Sequence, residues 1–362
     1  MKITLAIIIT AFYSLYFSGK LVAQGCIAIR STGGVCTMNH DEMADTLSKW
    51  EFNVNNRYFK SFRHFIGKSE QKQRTEQGTN VINHQYTMDL TLTHHINKWW
   101  SYSIDVPILA NSRSSLYEHD NIHRYTTHSF GLGDIRLTAY RWIFDPAKMP
   151  RGNIQVGLGV KLATGDYKYQ DFFHKNDSTE ILGPVDQSIQ LGDGGTGITA
   201  EVNAFYYFTE RLSVYANLFY LSNPREQNGT SAARGGTPSA SSILYESSTM
   251  SVPDQYMIRA GANYTARALT ISLGVRDECL PVHDLIGGSG GFRRPGYIIS
   301  AEPGISYSIR KMNFYAFVPV AVVRDRTQSV PDKIKTAITG IYSQGDAAFA
   351  DYTINVGFTT RF

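Results

Sequence analysis

The chain has 362 residues, of which 18% are charged, with 22 Tyr, 19 Phe, 31 Gly and a formal net charge of +4. Removing residues 1–25, which hold Lys2 and Lys20 and no acid, leaves 33 basic against 31 acidic residues, so no basic face for nucleic acid is expected. No later stretch offers the eighteen or more apolar residues of a helical span, which excludes a helical membrane protein. A mean hydropathy of -0.24 is compatible with a barrel whose lumen and loops are polar.

Residues 1–25 carry Lys2, an apolar run over 5–17 and small residues near Ala23 and Gly25, the pattern of a secretory signal peptide. Cleavage after Ala23 is one option, although Leu21 is larger than a cleavage site prefers; a lipoprotein site at Cys26 is disfavoured by the large, polar Gln24. In an oxidising compartment Cys26 and Cys36 are spaced to close a small loop as a disulfide, the alternative being two thiols in a tail. Residues 26–49 have no strand pattern and are read as a periplasmic extension or a plug. Cys279 falls in a predicted loop.

From residue 50 onward, period-two segments recur: 50–62, 81–96, 99–109, 133–143, 153–164, 198–208, 212–222, 255–265, 268–276, 297–309, 313–323 and 349–362. Each is close to the length a tilted strand needs to cross a bilayer. The links between them alternate short and long, the long ones covering 63–80, 110–132, 165–197, 223–254, 277–296 and 324–348. Short periplasmic turns and long extracellular loops alternate in this way in outer-membrane barrels. The expected fold is therefore all-β: a transmembrane antiparallel up-and-down β-barrel of about 12 strands over residues 50–362, in the cell outer membrane. Pro107, Pro303 and Pro319 sit inside predicted strands and call for bulges or breaks in pairing, Pro107 and Pro319 near the outer rim.

The last strand alternates Tyr352, Ile354, Val356, Phe358, Thr360 and Phe362 with Thr353, Asn355, Gly357, Thr359 and Arg361. One face is apolar for lipid and the other is small or polar for the lumen. Ending on Phe362 after Tyr352 and Phe358 looks like the insertion signal of outer-membrane proteins, so the barrel-assembly machinery and outer-membrane lipid are expected partners.

Carrying the parity through every strand points Glu51, Arg57, Asp89, Asp105, Arg136, Lys161, Glu201, Arg259, Glu302 and Arg361 into the lumen, five acids facing five bases. These either pair and fill the interior, as in small barrels, or line a passage. Phe205, Tyr207, Tyr215, Phe219, Tyr315 and Phe317 join them, as a slot for an apolar solute or as interior packing.

Enzyme signals are sparse. No His-x-Ser occurs for a barrel phospholipase. The adjacent pairs His119-Asp120 and His283-Asp284 lack a second acid pair for an omptin-like protease. His119, His123 and His128 share one predicted loop, but without a helix their spacing fixes no metal geometry, so neither metal nor cofactor is expected. The glycine-rich run 192–197 lacks the lysine of a phosphate loop and leads into a strand, so its glycines are read as shaping that transition.

Gly131-Leu132-Gly133-Asp134-Ile135, followed by Leu158-Gly159-Val160-Lys161-Leu162-Ala163-Thr164-Gly165-Asp166, resembles the outer-membrane family of the phenol meta-pathway, which usually has Pro where this chain has Ala163. The Val106-Pro107-Ile108 strand end is similar as well. The resemblance implies a channel or transporter-like barrel for small solutes, hydrophobic or aromatic ones among them. The other readings are a barrel hydrolase of lipid or peptide, and a closed structural or adhesion barrel with binding loops.

Overall fold

The computed structural model describes residues 49–362. The predicted signal peptide, the predicted extension or plug and the expected Cys26–Cys36 disulfide fall outside them. In chain order the elements begin β1 (Trp50–Ile66), β2 (Ser69–Glu70), α1 (Lys72–Glu76), β3 (Ile82–His95), β4 (Trp100–Ser115), β5 (Tyr125–Leu132), β6 (Arg136–Trp142) and β7 (Gly152–Lys161). Next come β8 (Gln170–Asn176), β9 (Thr179–Pro184), a 3-10 turn (Gln187–Ile189), β10 (Gly197–Tyr207), β11 (Leu212–Ser222), β12 (Gln227–Ser231), α2 (Ala240–Leu244) and β13 (Thr249–Ser251). The last are β14 (Gln255–Ala266), β15 (Leu269–Leu280), β16 (Gly296–Ile309), β17 (Met312–Phe317), β18 (Val320–Arg326), α3 (Val330–Thr339) and β19 (Ala347–Arg361).

Twelve antiparallel staves close into a barrel, with β5 and β6 forming one interrupted stave and β17 and β18 another. Closure is made by β19 on β1, where Val54 lies opposite Phe358 and Phe52 opposite Thr360. Trp50 and Phe362 exchange backbone hydrogen bonds of 3.1 and 3.0 Å there, leaving no open edge at the seam. All twelve predicted strands are present, and the two chain ends of the barrel meet at its short-turn end.

The main differences are in length. The predicted loop 110–132 contracts to residues 116–124, because β4 runs on to Ser115 and β5 begins at Tyr125. Likewise β15 continues past 276 to Leu280, so Cys279 lies in a strand opposite Tyr256 and Tyr297 rather than in a loop. In both cases backbone pairing continues where the apolar alternation has already faded, since ladder hydrogen bonds do not depend on side-chain polarity.

Packing is inverted relative to a soluble protein. Leu158, Ile198, Tyr206, Leu273 and Phe314 are exposed on the outside, whereas Asn55, Thr199, Ser272 and Glu302 are buried inside. An apolar exterior around a polar interior suits lipid outside and a hydrogen-bonded lumen. Exposed Trp50, Trp100, Tyr264, Tyr307 and Phe362 stand near the turn end, where an interfacial aromatic girdle belongs.

The prolines mark the wall's two breaks. Pro107 lies halfway along β4, not near a rim as expected, and its carbonyl accepts from Gly133 N–H (2.8 Å) in the gap between β5 and β6. Pro303 and Pro319 serve the other break: Val318 N–H donates to Pro303 (3.0 Å) and Thr353 N–H to Pro319 (3.0 Å). A residue with no N–H is tolerated where its neighbour has already left the ladder.

Candidate functional site

Inward parity brings the charged side chains into the lumen, and strand register sorts them into two groups. On β4 and β6, Arg136 holds Asp105 at 2.8 Å, and Thr91 donates to the other Asp105 oxygen at 2.7 Å. Close by, Tyr140 donates to Glu201 at 2.8 Å and Asn55 to Asp89 at 3.4 Å. Across the barrel a chain runs from Arg57 to Glu278 (2.8 Å), Arg276 (2.9 Å) and Glu302 (3.3 Å), ending on Arg259, which also bonds Glu302. Arg259 lies 4.5 Å from the Phe317 ring centroid and 5.1 Å from that of Tyr215, capping the charged chain with aromatic faces.

The predicted lumen set is thus brought together only in part. Asp105 meets Arg136, Glu302 meets Arg259, and Glu51 meets Arg361 at 2.8 Å. Arg57 instead takes Glu278, Glu201 takes a tyrosine, and Lys161 leaves the set for Asp134 (3.2 Å) and Asp193. Phe205 and Tyr207 stack edge to face at 5.7 Å. Glu278 was missed because the predicted strand stopped at 276; Arg276, the last residue of that strand, shares the inward parity of Thr270 and Ser272 and was left out of the set.

Lys161, Asp134 and Asp193 belong to a knot that turns the long connection after β7 into the barrel. Asp134, in the break between β5 and β6, accepts from the backbone N–H groups of Gly165 (3.0 Å) and Asp193 (3.2 Å). Thr164 donates to the Gly133 carbonyl (2.8 Å) and receives the Ile135 N–H (2.9 Å). Side chains would not fit: a Cβ on Gly192 would stand 2.5 Å from the Gly165 carbonyl oxygen. The residues of the two glycine-containing motifs are therefore the clamp on this inward loop, and the expectation that the run 192–197 shapes a loop-to-strand transition agrees with β10 starting at Gly197.

Beyond the knot the loop buries residues Val185 to Gly195 and delivers Asp186 to the centre of the long-loop end. Arg234 and Arg294 each reach Asp186 at 2.6 Å, and Arg113 lies 3.5 Å from it. Arg113 also holds Glu118 at 2.7 Å, and Arg234 approaches Glu118 at 3.2 Å. Five side chains from β4 and four connections form one dry cluster over the mouth. Burial would raise the Asp186 carboxyl, but Arg113, Arg294 and Arg234 outweigh it and hold it well below the usual carboxylate range. For Glu118 burial is likewise overcome, by Arg113 and Arg234, and its pKa is lowered. Nothing in the sequence foretold this cluster, because Glu118, Asp186, Arg234 and Arg294 lie in loops of no periodicity and Arg113 lies in the part of β4 beyond the predicted strand.

At the opposite end the lumen opens into a cavity of about 850 Å3. Its wall includes Tyr207, Met312 and Asn313 with Arg151, Arg211, Arg267, Arg310 and Lys311.

The histidines do not gather. His119 is buried against Tyr125, Phe173 and His174, and accepts from the His174 N–H at 3.1 Å; His123 is exposed on Asp120, and the His128 N–H is bonded to Asp171. Among the described residues no group of three or more ligands is placed to hold a metal. Asp284 is committed to Arg293 (2.7 Å) and His283 to Lys333 (3.0 Å), so that adjacent pair makes no dyad. Tyr352 and Phe362 are exposed on the outer face, and Phe358 shares their parity.

No family model and no curated protein sequence matches the chain. Among solved structures it is similar to the COG4313 outer membrane channel from Pseudomonas putida F1, at TM-score 0.56 and 10% identity, covering 87% of this chain and 96% of that one. A Pseudomonas aeruginosa FadL homologue aligns at TM-score 0.44 and 10% identity over 95% of this chain and 100% of that one. The P. putida toluene transporter TodX aligns at 0.44 and 8%, over 95% and 99%. At such identity the likeness speaks to architecture, and the first of these carries it: the chain has the closed 12-strand antiparallel fold of an outer-membrane β-barrel.

Proposed function

We propose that the protein is an outer-membrane channel through which small solutes, hydrophobic or aromatic ones among them, cross by passive or facilitated diffusion. Its short turns face the periplasm. The observation that carries this reading is the cavity of about 850 Å3 at the turn end, lined in part by lumen residues Tyr207, Thr270 and Asn313; barrels wider than about eight strands have room to enclose such space. What separates the cavity from the other end is partly loop rather than wall. The cap around Asp186 can shift without breaking a stave, whereas the wall pairs cannot. Aromatic side chains at Phe205, Tyr207, Phe219, Tyr315 and Phe317 give an apolar solute surfaces to follow, and the phenol meta-pathway resemblance implies the same solute class.

The buried Asp186 cluster favours a second reading, a permanently closed barrel whose loops bind an external partner. Proteoliposomes separate the two. Faster entry of a small neutral aromatic such as toluene or phenol than into empty liposomes supports the channel; equal rates support the closed barrel. No step of either reading uses a catalytic residue.

A further inference from the structure

The short turns carry an unusual choice of residue. Between β14 and β15 the turn begins with Arg267, at φ 56°, and between β16 and β17 with Arg310, at φ 52°. Left-handed backbone at a hairpin tip ordinarily selects glycine or asparagine, because a longer side chain crowds the backbone there. Arginine gains nothing in conformation at either place. Both arginines line the same 850 Å3 cavity, and so do Arg151 and Arg211 from two further turns. Four of the five short turns therefore bring an arginine to the rim of one space. The fifth turn's Lys98 is instead paired with Asp145 at 2.8 Å.

Among the described residues of the wall, bases outnumber acids: Lys311 and Arg361 join the four arginines, and Glu210 is the one carboxylate. Arg361 is already bonded to Glu51. Arg151, Arg211, Arg267 and Arg310 form no ion pair among the described residues, unlike the lumen and cap arginines above them. Guanidinium groups converging on a concavity, each able to take a carboxylate or phosphate in a two-pronged hydrogen bond, form an anion receptor. The volume falls within the range of small-molecule sites, and Pro150, Tyr207 and Met312 offer carbon surface beside the charges.

We infer that the turn-end cavity binds a small organic polyanion, a molecule with two or more carboxylate or phosphate groups on a compact carbon skeleton. The inference leans on the channel reading only for where the anion travels next; binding itself requires no transport.

Fluorescence anisotropy of carboxyfluorescein with the purified full chain in neutral detergent tests it. Saturable binding is expected at low salt, displaced by citrate, and weakened as ionic strength rises toward about 0.5 M. The cationic dye rhodamine 6G should not compete. Combining Arg267→Asn with Arg310→Asn should weaken carboxyfluorescein binding about tenfold, at roughly a few-fold per charge. Asparagine suits left-handed backbone, so this variant should fold and keep its thermal stability. Absence of saturable binding by the native chain, or binding unchanged in the double variant, overturns the site. Association only with phosphatidylglycerol vesicles, with no capture of free carboxyfluorescein, also overturns it and makes the arginines lipid anchors. Since no membrane is crossed, a failed uptake assay and a failed binding assay are separate results.

Discussion

The Asp134 carboxylate accepts the backbone N–H of Gly165 at 3.0 Å, joining a break in one stave to the root of the loop that leaves the next but one strand. That bond turns the chain inward instead of upward, and it explains why glycine recurs in both motifs. At Gly192 a Cβ would meet the Gly165 carbonyl oxygen at 2.5 Å and the Asp134 Oδ1 at 2.6 Å, so backbone packs directly on backbone.

Gly192→Val should therefore lift the loop while leaving the staves intact, since overpacking of this kind costs about 1–3 kcal/mol. Limited proteolysis is the measurement: cleavage within 165–196 should become several-fold faster. Unchanged protection would mean that the clamp does not hold the loop.

The cap should be indifferent to mild acid. A carboxyl whose folded pKa is depressed contributes stability above its unfolded value, about 4, and that contribution is lost as pH falls through the folded value. Asp186, held well below the usual range, and Glu118, also lowered, should thus keep the mouth closed from neutral pH through about 4.5, with loosening only at lower pH. Loop proteolysis by an acid-stable protease, or single-channel recording across this range, would register it. Opening near pH 6 would contradict the ion-pair description.

Removing a lumen charge should damage stability more than selectivity. Glu302 is fully buried between Arg259 and Arg276, and Glu302→Gln leaves two guanidinium groups without their shared carboxylate, a loss of about 3–5 kcal/mol. The temperature at which the folded band disappears on a denaturing gel should drop. A shift in ion selectivity with unchanged heat resistance would instead make these residues the lining of an open route.

The closing strand supplies a further test. Phe362 exchanges backbone hydrogen bonds with Trp50 at the seam while its side chain faces outward. If that outward ring is the insertion signal, Phe362→Asp should lower the amount assembled in outer membranes with little effect on barrels refolded in detergent. Normal assembly would remove the signal role.

Strand number, parity and the alternation of connections were legible because a period of two exposes itself wherever lipid and lumen face opposite sides of one strand. Arg259 and Glu302 could be placed inside from parity alone, but not paired, since register between strands is set by turn geometry and by the breaks at Pro107, Pro303 and Pro319. The Asp186 cluster stayed hidden for a different reason. Glu118, Arg234 and Arg294 converge with Arg113 of β4 on Asp186 through loop folding, and loops carry no period from which direction can be read. The motif residues were visible as a signature, yet their job of clamping a loop emerged only when Asp134, Gly165 and Gly192 were seen in contact.

Whether the barrel conducts apolar solutes is tested most directly by uptake into proteoliposomes holding the full chain. Entry of a small neutral aromatic such as toluene should be faster than into empty liposomes, and faster still with Gly192→Val. Rates equal to empty liposomes for both proteins, with the barrels folded by heat-shift on gels, would contradict a channel.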